Sequence, residues 1–258
     1  MIFMNQLVLK GRELKHYDIE HVHPPQHIKK GRSASELWDK IFFGGEPQLP
    51  EAIATCLELH NVFKGFDAQL GIPEHNTDFD RYGKGRQHDL MVLGVSMAGQ
   101  CVIGVEAKVD ETFGDSTVEE YLNSGITLLL QGKNSYKPER IRDLVDALFK
   151  DHRKAEADKL RYQLVQATAG VLAEAKSRDY NYALFVIYNL VPKNRTEDYD
   201  YRSKINTNDL DAFISILSDC KYTSLPTGQI TGPITVPGNE HIPSDIPLYM
   251  LKVEDIFE

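Results

Sequence analysis

Residues 89–96 (DLMVLGVS) and 100–109 (QCVIGVEAKV) are two strand-length apolar runs separated only by Met97-Ala98-Gly99. Runs this rich in Val, Ile and Leu, and this close together, are expected to fold back as an antiparallel hairpin. In the second run Ile103, Val105 and Ala107 alternate with Gly104, Glu106 and Lys108, which gives one apolar face and one polar face. An isolated hairpin is marginal in water, so the chain must supply further strands and helices to cover it.

The rest of the sequence offers those elements. Ser33 and Glu36 stand in capping-box spacing ahead of an apolar stripe at Leu37, Trp38, Ile41 and Phe42, with Gly44-Gly45 as a stop. Pro50 opens a second helix to about Leu59, and Ser116–Glu119 a third towards Leu130. Pro138 starts a helix to about Phe149, and 156–176 reads as a long one with Leu160, Leu164, Ala167 and Val171 on one face. Residues 182–188 (YALFVIY) are apolar on both faces, as in a buried strand. A helix near 209–217, a Pro-rich stretch over 222–247 and a short strand at 248–253 complete the chain. Strands interleaved with helices predict an α/β (α+β) fold, a central mixed sheet flanked by helices. One domain is expected over 1–258, with its core at about 25–220, an N-terminal strand and loop segment before it and a loop-rich extension over 221–258 after it.

The 29 Lys and Arg against 38 Asp and Glu give a formal charge of −9, which excludes a protein that coats nucleic acid non-specifically. Cys56, Cys101 and Cys220 form no CxxC pair, so they predict neither disulfides nor a thiolate zinc site, and each reads as a small buried residue. His16, His21, His23 and His27 dot the N-terminal stretch, but Pro24-Pro25 keeps them off one helix face, so a solvated loop is expected. No apolar run is long enough to span a bilayer and no signal peptide is visible, so the expected location is cytoplasmic, with no membrane partner.

Chemistry concentrates on the hairpin. With the turn centred between Ala98 and Gly99, Lys108 faces Asp89 and Glu106 faces Met91, and all three polar side chains share one face. Neighbouring strands lie about 4.8 Å apart, which brings two carboxylates near one cation with an ammonium beside it. Mg²⁺ is held by one or two carboxylates together with water and phosphate oxygens, so Asp89 and Glu106 are its predicted ligands. The spacing by itself is more often that of a solvated strand face.

The segment resembles the PD-(D/E)XK phosphodiesterase superfamily, whose fold is that of many restriction endonucleases: Asp89 matches its first acid, and Glu106-Ala107-Lys108 its E-x-K on the next strand. The chain is also similar to a family of bacterial proteins of unassigned function in that superfamily. The matching stretches are His27–Ala34, Ile72–His75, Val105–Gly114 and Leu160–Ala175. The resemblance implies a restriction-endonuclease-like core and a metal-dependent nuclease using Mg²⁺ or Mn²⁺ on DNA or RNA, DNA first. Asp89, Glu106 and Lys108 are its expected centre, Glu74 an auxiliary acid, and Gln163 a residue that orients water or phosphate. Glu36 is a further acid that its capping position already explains, and Asp110, Glu111 and Asp115 read as a solvated loop. Phosphate contacts are expected from Lys84, Arg86 and the stretch 133–161, which carries nine basic and six acidic residues. A homodimer or a partner subunit would suit cutting of two strands. The alternative function is a nuclease-fold binding or interaction module without turnover.

Overall fold

The computed structural model describes residues 1–23 and 28–258, so Pro24, Pro25 and His27 of the His-dotted stretch lie outside the described residues. Its strands are β1 (Ile2–Leu9), β2 (Arg12–Glu13), β3 (Gln48–Leu49), β4 (Asp67–Thr77), β5 (Arg86–Ser96), β6 (Gly99–Lys108), β7 (Tyr182–Pro192), β8 (Thr231–Ile234) and β9 (Leu248–Phe257). Its helices are α1 (Ile19–Val22), α2 (Ser33–Ile41), α3 (Glu51–Glu58), α4 (Val118–Leu130), α5 (Lys137–Leu148), α6 (Tyr162–Ser177) and α7 (Glu197–Leu217).

The strands form one mixed sheet in the order β2-β1-β4-β5-β6-β7-β9-β8, with β3 pairing β1 off this path. β4, β5 and β6 run antiparallel, and β6, β7 and β9 run parallel. The expected central mixed sheet with flanking helices is what the chain forms. One apolar core joins Met91, Leu93 and Val102 of the sheet to α5, α6 and α7. A second joins Leu90, Val92, Ile103, Val105 and Ala107 to Leu37, Trp38 and Ile41 of α2 and to Ile53 and Leu57 of α3. The alternation of β6 thus divides its side chains between two covered faces, and the face expected to be hydrated lies under α6. Gly104 and Gly170 permit this approach: a Cβ on Gly104 would run into Val171 Cγ2, and one on Gly170 would lie 2.6 Å from His88 Nε2.

Several local expectations are corrected. The hairpin turn is Met97-Ala98, closed by Ser96 opposite Gly99, and Ser96 Oγ accepts the Ala98 N–H at 3.2 Å. Gly99 belongs to β6 at φ 144°, so the whole pairing moves by two residues, with Leu90 opposite Val105. Within the ladder, Leu90–Ser96 against Gly99–Val105, the faces are unchanged, because a shift of two preserves alternation. The capping box ahead of α4 is Thr117/Glu120: Thr117 Oγ1 accepts from Glu120 N–H at 3.2 Å and Glu120 Oε2 from Thr117 N–H at 2.8 Å. Ser33 is the first residue of α2 rather than its cap, and its Oγ donates to Glu111 at 3.2 Å. The long helix expected from 156 starts at Tyr162, after a 3-10 stretch over Asp151–Lys159 and an extended Leu160-Arg161 held by the Thr117–Arg161 bridge. The last helix starts at Glu197 rather than near 209. Cys220 is exposed, while Cys56 and Cys101 are buried as expected.

Candidate active site

The β5–β6 ladder stops at Leu90 opposite Val105. Below that point the strands part, and Asp89 Oδ2 accepts the Ala107 N–H at 2.7 Å, where a ladder carbonyl would otherwise sit. Asp89 is half-buried at this fork. Glu106 follows Val105 on β6 with only 2% exposure, and Lys108, two residues on, has 8%. The period of two puts both on the α6 face.

Glu106 is held on both oxygens. Arg86 donates to Oε2, Gln163 Nε2 from α6 donates to Oε1, and Lys108 Nζ lies 3.1 Å from Oε1. Burial opposes ionisation of Glu106, yet Lys108 and Arg86 outweigh it and hold the carboxyl below its usual range. Asp89 shifts the other way: burial raises it most, and the charge of Glu106 adds to that. The ammonium of Lys108 also lies 5.8 Å from the centre of the Phe113 ring.

Glu74 joins the group from β4. Its backbone sits at φ 51°, a left-handed conformation that interrupts the strand between Pro73 opposite Leu90 and His75 opposite His88. Such strain in a non-glycine residue collects at functional positions. Its carboxylate receives Gln87 Nε2 on Oε2 and lies 3.2 Å from His23 Nδ1 on Oε1. Burial, then the charge of Glu106, pushes it up to about 7. Asp89, Glu106, Lys108, Gln163 and Glu74 are therefore brought to one end of the β4–β6 layer.

The other acids singled out in the sequence serve the chain locally. Glu36 accepts the Gly31 N–H at 2.7 Å, Glu111 accepts the Val109 N–H at 3.0 Å, and Asp110 pairs with Arg32 at 3.6 Å. Asp115 is exposed. The basic stretch 133–161 is largely spent on neighbours: Arg140 pairs with Asp80, Lys150 with Asp219, Lys154 with Asp146 and Arg161 with Asp209. His23 is buried beside Trp38 rather than solvated, with ring centroids 6.3 Å apart.

Arg86 and His88 also belong to the cluster, and only His88 was not expected from the sequence. Arg86, expected as a phosphate contact, is half-buried and pairs with Glu106, a partnership that the sequence did not indicate. His88 is fully buried with no hydrogen-bond partner on either ring nitrogen, and burial followed by the Arg86 charge lowers it to about 3, so it is neutral.

A model described as a domain of unknown function (DUF6946) matches residues 14–256. The chain belongs to that family. No curated protein and no solved structure matches the chain.

Among the described residues, no group of three or more His, Cys, Asp or Glu is disposed to hold a metal ion. Asp89 and Glu106 still fit a cation of the Mg²⁺ type, which needs only one or two carboxylates. Among the described residues, no helix is long and apolar enough to cross a membrane.

Proposed function

We propose that the chain is a metal-dependent phosphodiesterase that hydrolyses nucleic acid, DNA ahead of RNA, with the restriction-endonuclease-like arrangement its motif resembles. The observation that carries this reading is the fork in the hairpin, where Asp89 faces the strand that bears Glu106 and Lys108. Asp89 and Glu106 would hold Mg²⁺ or Mn²⁺. A divalent cation there supplies a more acidic water and neutralises charge on the phosphate. Lys108 Nζ would orient the attacking water or steady the charge that develops on the phosphate oxygens. Gln163, already hydrogen-bonded to Glu106, fixes the direction of that carboxylate, and Glu74 adds negative charge at the rim.

The engagement of both Glu106 oxygens favours a second reading, in which the cluster only holds strands and α6 together in a binding module. Cleavage assays separate the two. Incubation with Mg²⁺ or Mn²⁺ and single-stranded, duplex and RNA substrates should give products with the wild type and none with Asp89→Ala or with chelator. No cleavage of any substrate by the wild type favours the module.

A further inference from the structure

Glu106 is surrounded by positive charge before any metal arrives. Arg86 holds Oε2, and Lys108 stands 3.1 Å from Oε1. With both ionised, as metal ligands must be, Asp89 and Glu106 balance Arg86 and Lys108, two negative charges against two positive. A divalent cation bound at the two carboxylates would place two further positive charges beside two confined cations. At distances of a few ångströms in a low-dielectric site such repulsion is strong. Either a cation must leave Glu106 or an anion must enter with the metal.

Arg86 is the group fitted to respond. Its guanidinium is 15% exposed, so it reaches the rim of the cluster, and its Nε is buried with no hydrogen-bond partner. A guanidinium offers five donors in a fixed fork suited to phosphate, and Arg86 directs its Nη2 to Glu106. Lys108 cannot make the same exchange as readily, because the Phe113 ring lies over its ammonium.

We propose that Arg86 is an exchangeable counter-ion. It holds Glu106 while the centre lacks metal, and passes to a phosphodiester oxygen when metal binds, so that metal and phosphodiester bind cooperatively. This inference rests on the phosphodiesterase reading and adds to it the group that binds the substrate anion. Coupling of this kind is reciprocal: each ligand must tighten the other by the same factor.

The test counts free Mn²⁺ by electron paramagnetic resonance in titrations of the full chain, with and without thymidylyl-thymidine, which carries one phosphodiester. The dinucleotide should lower the wild-type dissociation constant for Mn²⁺ about tenfold. Arg86→Gln should bind Mn²⁺ alone about tenfold tighter than wild type and gain nothing from the dinucleotide. Mn²⁺ binding that is unchanged or weaker in a folded Arg86→Gln, as judged by circular dichroism, would overturn the exchange while leaving the metal centre intact. Absence of coupling in the wild type would do the same without any variant. If the wild type takes up no Mn²⁺ even with dinucleotide, the phosphodiesterase reading fails and the exchange with it.

Discussion

The two carboxylates proposed as ligands should respond oppositely when each is replaced by its neutral amide. Glu106→Gln removes the carboxylate with which both Lys108 and Arg86 pair, leaving one ammonium and one guanidinium at 10% and 15% side-chain exposure. A glutamine amide can accept from one of them but presents its own donors to the other and to Gln163. Removing one member of a buried ionic cluster costs about 3–5 kcal/mol, and the residual exposure puts this case at the lower end, about 3 kcal/mol. For a chain of this length that lowers Tm by roughly 6–12 °C. Asp89→Asn should do the reverse. The folded state holds the Asp89 proton more tightly than the unfolded chain does, so ionising it weakens the fold as pH rises above the ordinary carboxylate range. Asp89→Asn should therefore melt close to wild type at acidic pH and above it at pH 8, although its side-chain amide must still accept the Ala107 N–H. Thermal melts by circular dichroism across pH, in metal-free buffer, measure both. A wild-type Tm in Glu106→Gln, or a lower Tm in Asp89→Asn throughout, would refute the charge assignment.

Glu74 titrates near 7 in the fold against 4.5 ordinarily, so its ionisation weakens the fold progressively between those values. Glu74→Gln should match wild type below pH about 4.5 and exceed it above 7 by at most about 3 kcal/mol in denaturant melts. Gly170→Ala places a methyl 2.6 Å from His88 Nε2, so α6 must lift from the sheet; roughly 1–3 kcal/mol of stability should be lost, together with activity. Gln163→Leu should keep its Tm and lower kcat with little change in KM, because only the direction of Glu106 is disturbed.

The alternation in 100–109 was enough to put Glu106 and Lys108 on one side, and the 3.6-residue period of α6 enough to aim Gln163 at the sheet. The pairing was not legible to the residue, because Met97-Ala98 carries no strong turn signal and the Ser96 hydroxyl that fixes it acts through tertiary contact, donating to Val62 O at 2.6 Å. β4 was hidden by Gly71, Pro73 and the left-handed Glu74, which break its strand pattern where the site needs them. The first turns of α7, EDYDYRSK, are too polar to signal a helix, and Thr196 caps them by accepting the Tyr199 N–H at 3.1 Å. The role of Arg86 was hidden because the strand pattern reads only from Asp89, whereas β5 runs back to Arg86 and so carries it alongside Glu106.

Lys108 decides most directly whether this centre is catalytic. Single-turnover cleavage and nucleic-acid affinity should be measured together for wild type, Lys108→Ala and Lys108→Arg on whichever substrate the wild type cuts. If Lys108 acts on the transition state, Lys108→Ala lowers the cleavage rate by at least about a hundredfold while affinity falls far less. Lys108→Arg should restore little, since a guanidinium is bulkier and does not give up its proton. Undiminished cleavage in Lys108→Ala would contradict the account.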